Sequence, residues 1–357
     1  MRDVLAQIQR WHEECRALAV ATVVRVGGSS PRPVGSRLVV SGEGEFAGSV
    51  SGGCVENAVI EEALAALRDG RPRLLHYGIS DELGWKVGLA CGGTLDVWVQ
   101  VVDPDVWRRV AELVGRDLPA VLLTILGEDE RAGEQAVVVP DGAAPDFAVA
   151  EAVEEARGLL ADKRVAAEPA VHTFAGGREV LIEPLLPAPQ LVIVGGVHVA
   201  RPLSALAQVM GFRVVIVDPR RAFADRKRFP AADRVLVQWP GAALQQLAVD
   251  PRTAIVVLTH DPKIDEPALV GALETPAFYI GAIGSRKTRA GRAERLIRAG
   301  VAPEQLGRIH GPIGLDLGGR SVEELALSIL AEIIAVRNGR GGGSLNCSSK
   351  TRLSRRC

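Results

Sequence analysis

Cysteine is scarce in this 357-residue chain. Its five cysteines, Cys15, Cys54, Cys91, Cys347 and Cys357, show no C-x-x-C pair and no regular spacing, which argues against a disulfide framework and a structural zinc site. Long apolar runs are missing too: no stretch approaches the roughly 18 to 20 uncharged residues that a bilayer-spanning helix needs. The start, Met1-Arg2-Asp3-Val4, lacks the basic-then-apolar pattern of a secretory signal. These absences predict a cytoplasmic protein in a reducing compartment, with no membrane association. Charge of one sign is lacking as well. The formal net charge is −1, and Lys350, Arg352, Arg355 and Arg356 sit in a tail without acids, so the remaining body is acidic and poorly suited to nucleic acid. No G-x-S-x-G elbow, Walker loop, H-E-x-x-H helix or kinase signature occurs, so nothing points to hydrolysis.

What is present is an ordinary α/β composition, 47 % hydrophobic and 24 % charged, in a chain long enough for two cores. The first half predicts a mixed α/β domain, residues 1–184: a helix over 2–17, strands over 19–26, 37–40 and 46–50, a helix from 55, then further strands and helices to 183. Pro184-Leu-Leu-Pro187-Ala-Pro189 reads as a stiff connector, giving a linker at 185–189. From 190 to 339, near-continuous apolar strands alternate with helices, the pattern of a Rossmann-like doubly wound parallel sheet covered on both faces. Ser321-x-x-Glu324 is a capping box opening the last helix. Residues 340–357, rich in Gly, Ser and Arg, read as a disordered tail.

The most informative segment is Ser49-Val-Ser-Gly-Gly-Cys54-Val-Glu. A cysteine there opens the predicted helix, beside unpaired amides and the positive end of the helix dipole, both of which favour a thiolate. The alternative is a buried cysteine acting as a small hydrophobe. Cys91, in Ala90-Cys-Gly-Gly93, is either structural or a second soft ligand beside Cys54. Gly28-Ser-Ser30-Pro-Arg32-Pro offers hydroxyls, amides and an arginine suited to an anion, or is simply a rigid turn.

In the second half, Gly195-Gly-Val197-His198-Val-Ala200 lies where a dinucleotide fingerprint belongs, and Asp218 ends the next strand as a ribose-binding acid would. Val197 replaces the glycine that normally admits a pyrophosphate, which counts against tight NAD(P) binding. His198, Asp218, His260 and Asp261 all leave strands at carboxyl ends and share one rim, although His198 and Asp261 also read as ordinary helix-edge residues. Gly284-Ser285-Arg286-Lys287 is the best anion site: glycine frees the backbone, Ser285 caps a helix, and cations in its first turn oppose the dipole unless an anion is bound. His310, in His310-Gly-Pro-Ile-Gly-Leu-Asp316, suits a pocket wall.

Taken in order, these segments resemble the XdhC/CoxI family, the xanthine dehydrogenase accessory factors, over about residues 5–338. The resemblance implies a cytosolic protein, commonly a homodimer, that binds molybdenum cofactor as molybdopterin or its nucleotide form. It implies protection of that cofactor during sulfuration, with a cysteine desulfurase as sulfur donor. Delivery would be to a molybdenum hydroxylase client of xanthine dehydrogenase or carbon monoxide dehydrogenase type. Such a protein is a cofactor chaperone without turnover of its own. Cys54 and Cys91 would then meet the metal, and Gly284 to Lys287 the phosphate end. The family usually shows Gly-Ala-Gly-His-Val-Ala where this chain has Val197. The rival reading is an NAD(P)-dependent oxidoreductase using the Gly195–Ala200 crevice, Asp218 and His260.

Overall fold

The computed structural model describes residues 2–28, 32–78, 93–161 and 168–344. The described residues form two compact units that divide between Pro187 and Ala188.

The first unit begins with α1 (Arg2–Glu13), β1 (Leu18–Gly27), β2 (Arg37–Ser41) and β3 (Phe46–Gly48). Next come α2 (Glu56–Asp69), β4 (Arg73–Tyr77), β5 (Thr94–Val101) and α3 (Pro104–Gly115). β6 (Ala120–Leu126), β7 (Gln135–Val138), α4 (Ala150–Ala161), β8 (Ala170–Thr173) and β9 (Glu179–Leu185) complete it. Two antiparallel sheets result, ordered β3-β2-β1-β5-β4 and β7-β6-β9-β8. The period-2 alternation of β1 sends Ala19, Ala21 and Val23 into one cluster with α2 (Val59, Ala63, Ala66). Its other face sends Leu18 and Val20 into a cluster with α1, α3, Leu122 of β6 and Leu185 of β9, so the two sheets share a core. Pro184 and Leu185, expected at a connector, instead pair with Val121 and Ala120 at the end of β9. The proline is tolerated because β8 pairs with β9 only as far as Ile182, so Pro184 lies where the strand has a neighbour on one side alone.

The second unit is β10 (Gln190–Val194), α5 (Ala200–Val209), β11 (Arg213–Val217), β12 (Arg234–Leu236), α6 (Pro240–Gln246), β13 (Thr253–Val257), α7 (Pro262–Leu273), β14 (Tyr279–Ala282), α8 (Arg286–Arg298), β15 (Ile309–His310) and α9 (Val322–Arg337). Its sheet is parallel throughout, ordered β12-β11-β10-β13-β14-β15, and the order of strand addition switches sides between β10 and β13. This is the Rossmann order, and the switch point marks the crevice at the carboxyl ends of the strands. Leu191 and Ile193 face α5 and α9, while Val192 and Val194 face α6 and α7, so β10 is buried on both sides. The two-residue β15 closes the sheet as the edge strand beside β14.

Candidate functional site

The loop between β3 and α2 is folded around a carboxylate. Glu56, the first residue of α2, is 8 % exposed and turns back under its own loop. Its Oε1 accepts from Ser49 Oγ (2.7 Å) and the amides of Val50 (3.2 Å), Ser51 (2.9 Å) and Gly52 (3.1 Å). Its Oε2 accepts from Ser51 Oγ (2.5 Å) and the Gly53 amide (2.8 Å). The amides of Cys54 and Val55 donate to Ser51 Oγ at 2.9 and 3.0 Å. Burial opposes the charged carboxylate, but the hydroxyls of Ser51 and Ser49 and the loop amides outweigh it and hold Glu56 down to about 2. Gly52 and Gly53 supply the positive φ values (83° and 118°) that let consecutive amides converge on one point.

Cys54 sits on the outer side of this knot and is exposed, so it is not a buried small hydrophobe. It precedes the helix rather than opening it, since α2 starts at Glu56 with Val55 as its cap. The amides expected to lie unpaired beside the sulfur are consumed by Glu56 and Ser51. The result is a surface thiol on a rigidly anchored turn. Cys91 and Ser30 lie outside the described residues, as does the tail from 345 on. Arg32, half-buried, precedes the turn that leads into β2. Among the described residues, no group of three or more His, Cys, Asp or Glu side chains could hold a metal ion.

On the rim of the parallel sheet, the Gly195–Ala200 turn follows β10, and Gly195 has φ 106°. Asp218, fully buried after β11, accepts from the Gly196 amide (2.9 Å), the Arg220 amide (2.9 Å), Arg220 Nε (2.9 Å) and Arg220 Nη2 (2.8 Å). Those four donors fill a carboxylate's acceptor positions, so a ribose would have to displace Arg220. Burial alone would raise the Asp218 carboxyl, but Arg220 and the Gly196 amide outweigh it and leave it below the usual value. A Cβ on Gly196 would collide with the Phe223 carbonyl, so the segment after β11 lies directly over the glycine turn. Val197, expected to narrow the ligand approach, is half-buried and packs on the core cluster beneath α5 and α9. His198 is exposed at this turn.

From Asp218 the charges continue along the rim. Arg220 feels Asp261 and Asp265. Asp265, 3 % exposed, accepts from Thr259 Oγ1 (2.5 Å) and faces Arg292 at 3.6 Å. Burial raises its carboxyl, which Thr259 and Arg292 only partly offset. Arg292 in turn donates to the Ile283 carbonyl (2.7 Å), next to Gly284. Asp261 caps α7 through the Lys263 amide (3.0 Å), and Ser285 caps α8 through the Thr288 amide (3.1 Å). His260 is exposed with φ 63°, a conformation rare for a residue with a Cβ. Arg286 and Lys287 are exposed in the first turn of α8.

His310 belongs to a different group. It stacks on the Tyr279 ring (centroids 4.6 Å apart), and its Nδ1 lies 3.4 Å from Glu332 of α9. Glu332 also accepts from the Tyr279 hydroxyl and from the Gly314 amide (2.8 Å). Burial and then Glu332 push the Tyr279 hydroxyl up, while His310, Tyr279 and the Gly314 amide hold Glu332 below its usual value against burial. Sequence reasoning missed Glu56, Arg220, Tyr279 and Glu332. Glu332 left a signal, an acid inside the apolar run of α9, which requires a partner.

Residues 191–333 match the XdhC Rossmann domain, and residues 11–78 match the XdhC and CoxI family. The uncharacterized protein YqeB of Escherichia coli K12 is 25 % identical over 96 % of this chain, but the chain spans only 47 % of that protein. A Bacillus subtilis 168 protein described as a probable subunit of xanthine dehydrogenase is 27 % identical, covering 91 % of this chain and 94 % of its own. The molybdenum cofactor insertion chaperone PaoD of Escherichia coli K12 is 29 % identical, covering 90 % and 84 %. A crystal structure described as a xanthine dehydrogenase from Bacillus halodurans shares the fold, with a TM-score of 0.74 at 23 % identity over 96 % of this chain and 98 % of that one. Two family domains in sequence order, relatives along nearly the whole length and a common fold lead to one conclusion: this chain belongs to the XdhC and CoxI family.

Proposed function

We propose that this protein is an accessory factor that takes up molybdenum cofactor as cargo and delivers it to a molybdenum hydroxylase of xanthine dehydrogenase or carbon monoxide dehydrogenase type. The observation that carries this reading is the exposed Cys54 thiol on a turn whose backbone is locked by Glu56. Molybdenum and a transferable sulfur both favour soft sulfur donors. A thiol held outward on a fixed turn can engage and release such a guest without refolding. The names of two relatives, one tied to xanthine dehydrogenase and one a molybdenum cofactor insertion chaperone, support the same reading. In the second unit, the Ser285-capped start of α8 with Arg286 and Lys287 is the part suited to a phosphate or nucleotide.

The finer points are proposals of the same kind. Cys91 is a second sulfur ligand, the cargo is guarded while it gains its terminal sulfur from a cysteine desulfurase, and the protein works as a homodimer in the cytoplasm. The NAD(P)-dependent oxidoreductase is the weaker reading, because Asp218 is already saturated by Arg220 and Gly196. The test is to load purified protein from a molybdopterin source and compare it with Cys54→Ala. Molybdopterin retained by the parent and lost from the variant supports the reading, and equal retention removes the thiol from it. Submicromolar NADH binding with turnover of a carbonyl substrate would favour the oxidoreductase instead.

A further inference from the structure

A cavity of about 250 Å³ opens in the first unit between its two sheets, lined by Pro33, Val34, Gly35 and Arg37 on one side and Pro169 and Glu183 on the other. Arg37 of β2 and Glu183 of β9 are each 2 % exposed and joined by Nη2–Oε2 at 2.5 Å. Arg37 Nη1 also holds the Gly35 carbonyl at 3.2 Å. A buried ion pair is tolerable only when its remaining donors and acceptors are also bonded. Here Arg37 Nε–H and Glu183 Oε1 have no partner among the described residues. One donor and one acceptor are therefore left open at the same buried pair.

An occupant that satisfies both must present an N–H or O–H donor to the carboxylate and an oxygen or nitrogen acceptor to the guanidinium. A phosphate would suit Arg37 and be repelled by Glu183. The proline and valine lining favours a flat, weakly polar body. Rigid rings that carry N–H beside C=O meet this requirement, and the one present in the proposed cargo is the 2-amino-4-oxopyrimidine of its pterin. The volume lies below the roughly 300 Å³ at which whole-ligand sites begin, so it suits a ring head and not an entire cofactor. Gly35 lets Pro169 pack closely at the cavity wall: at φ +85°, a Cβ there would meet Pro169 Cγ at 2.7 Å and stand 3.6 Å from Glu183 Oε1, so any larger residue would crowd the ion pair.

We infer that this cavity is a pterin subsite, in which Glu183 Oε1 accepts from the ring N–H or amine and Arg37 Nε donates to the ring carbonyl. The inference rests on the cargo reading above and assigns one end of that cargo to named residues. The test titrates the full-length protein with pterin-6-carboxylate, read by its own fluorescence, and measures molybdopterin loading in parallel. Saturable quenching by the parent is expected. It should weaken at least tenfold in Glu183→Gln, and similarly in Val34→Phe, which fills the cavity but leaves the ion pair intact. No saturation up to millimolar pterin, or equal affinity in the parent and both variants, overturns the subsite. If the parent still loads molybdopterin in that case, the cargo reading survives alone. If it never loads molybdopterin yet binds pterin in a Glu183-dependent way, the subsite stands and the cargo reading falls.

Discussion

In the first unit, Gly52 and Gly53 follow a strand and precede a helix, and the amides they free converge on Glu56. In the second unit, Gly195 and Gly196 follow β10 and precede α5, and the Gly196 amide goes to Asp218. Both turns carry the sequence grammar of an anion site, and in both the anion is a side chain of the protein itself. The difference lies in what the turn then exposes. Glu56 comes from the helix the turn feeds, so the carboxylate stays underneath and Cys54 is left facing outward. Asp218 comes from the neighbouring strand and brings Arg220 with it, while the Phe223 carbonyl lies over Gly196. One turn is finished as a display surface and the other as a closed joint. Glycines after a strand therefore identify where amides are freed, and the nearest carboxylate decides whether a ligand can have them.

The comparison can be broken from either side. Gly196→Ala is expected to cost most, ~2–3 kcal/mol in urea unfolding, because the new methyl meets backbone instead of a movable side chain. If the second turn were open, the cost would be negligible. Glu56→Gln should cost about 2 kcal/mol at neutral pH, since a neutral amide cannot serve six donors. Because the Glu56 carboxyl is lowered to about 2, its contribution is complete above the ordinary carboxylate range and drains away as pH falls toward 2. The stability gap between parent and variant should accordingly narrow from pH 7 to pH 3, and a constant gap would show that the charge is not what holds the turn. Arg220→Ala should cost ~1 kcal/mol and free two acceptor positions on Asp218. Measurable NADH binding in that variant alone would identify Arg220 as the residue that keeps the joint closed. Cys54→Ala should change stability least, within ~0.5 kcal/mol, as expected for a surface side chain that anchors nothing. A larger loss would mean that the thiol is structural.

The fold was readable because periodicity is a local signal. The strands of the second unit are near-continuous apolar runs, and only β15 escaped, two residues set immediately before Gly311 and Pro312. The third strand stops at Gly48 and not at Val50 because the Val50 amide is taken by Glu56. At the sites, residue types with chemistry stood out, but their partners did not. Arg37 and Glu183 are 146 residues apart, and Tyr279 and Glu332 are 53 apart, separations across which no periodic pattern carries information. Asp218 is the instructive intermediate case. Its place at the end of β11 follows from the strand pattern, yet Arg220, only two positions on, changes its role from ribose acceptor to anchor of the glycine turn.

His260 has its own consequence for how the rim can be probed. Its left-handed backbone within the β13–α7 connection means that every replacement alters conformation and chemistry together, unless the newcomer tolerates the same dihedral. Asparagine does so and carries no ring, whereas valine or isoleucine would lever the connection away from Thr259 and Asp265. The histidine-to-asparagine exchange thus isolates the imidazole as a chemical group, and the difference between the valine and asparagine variants isolates the bend that presents it.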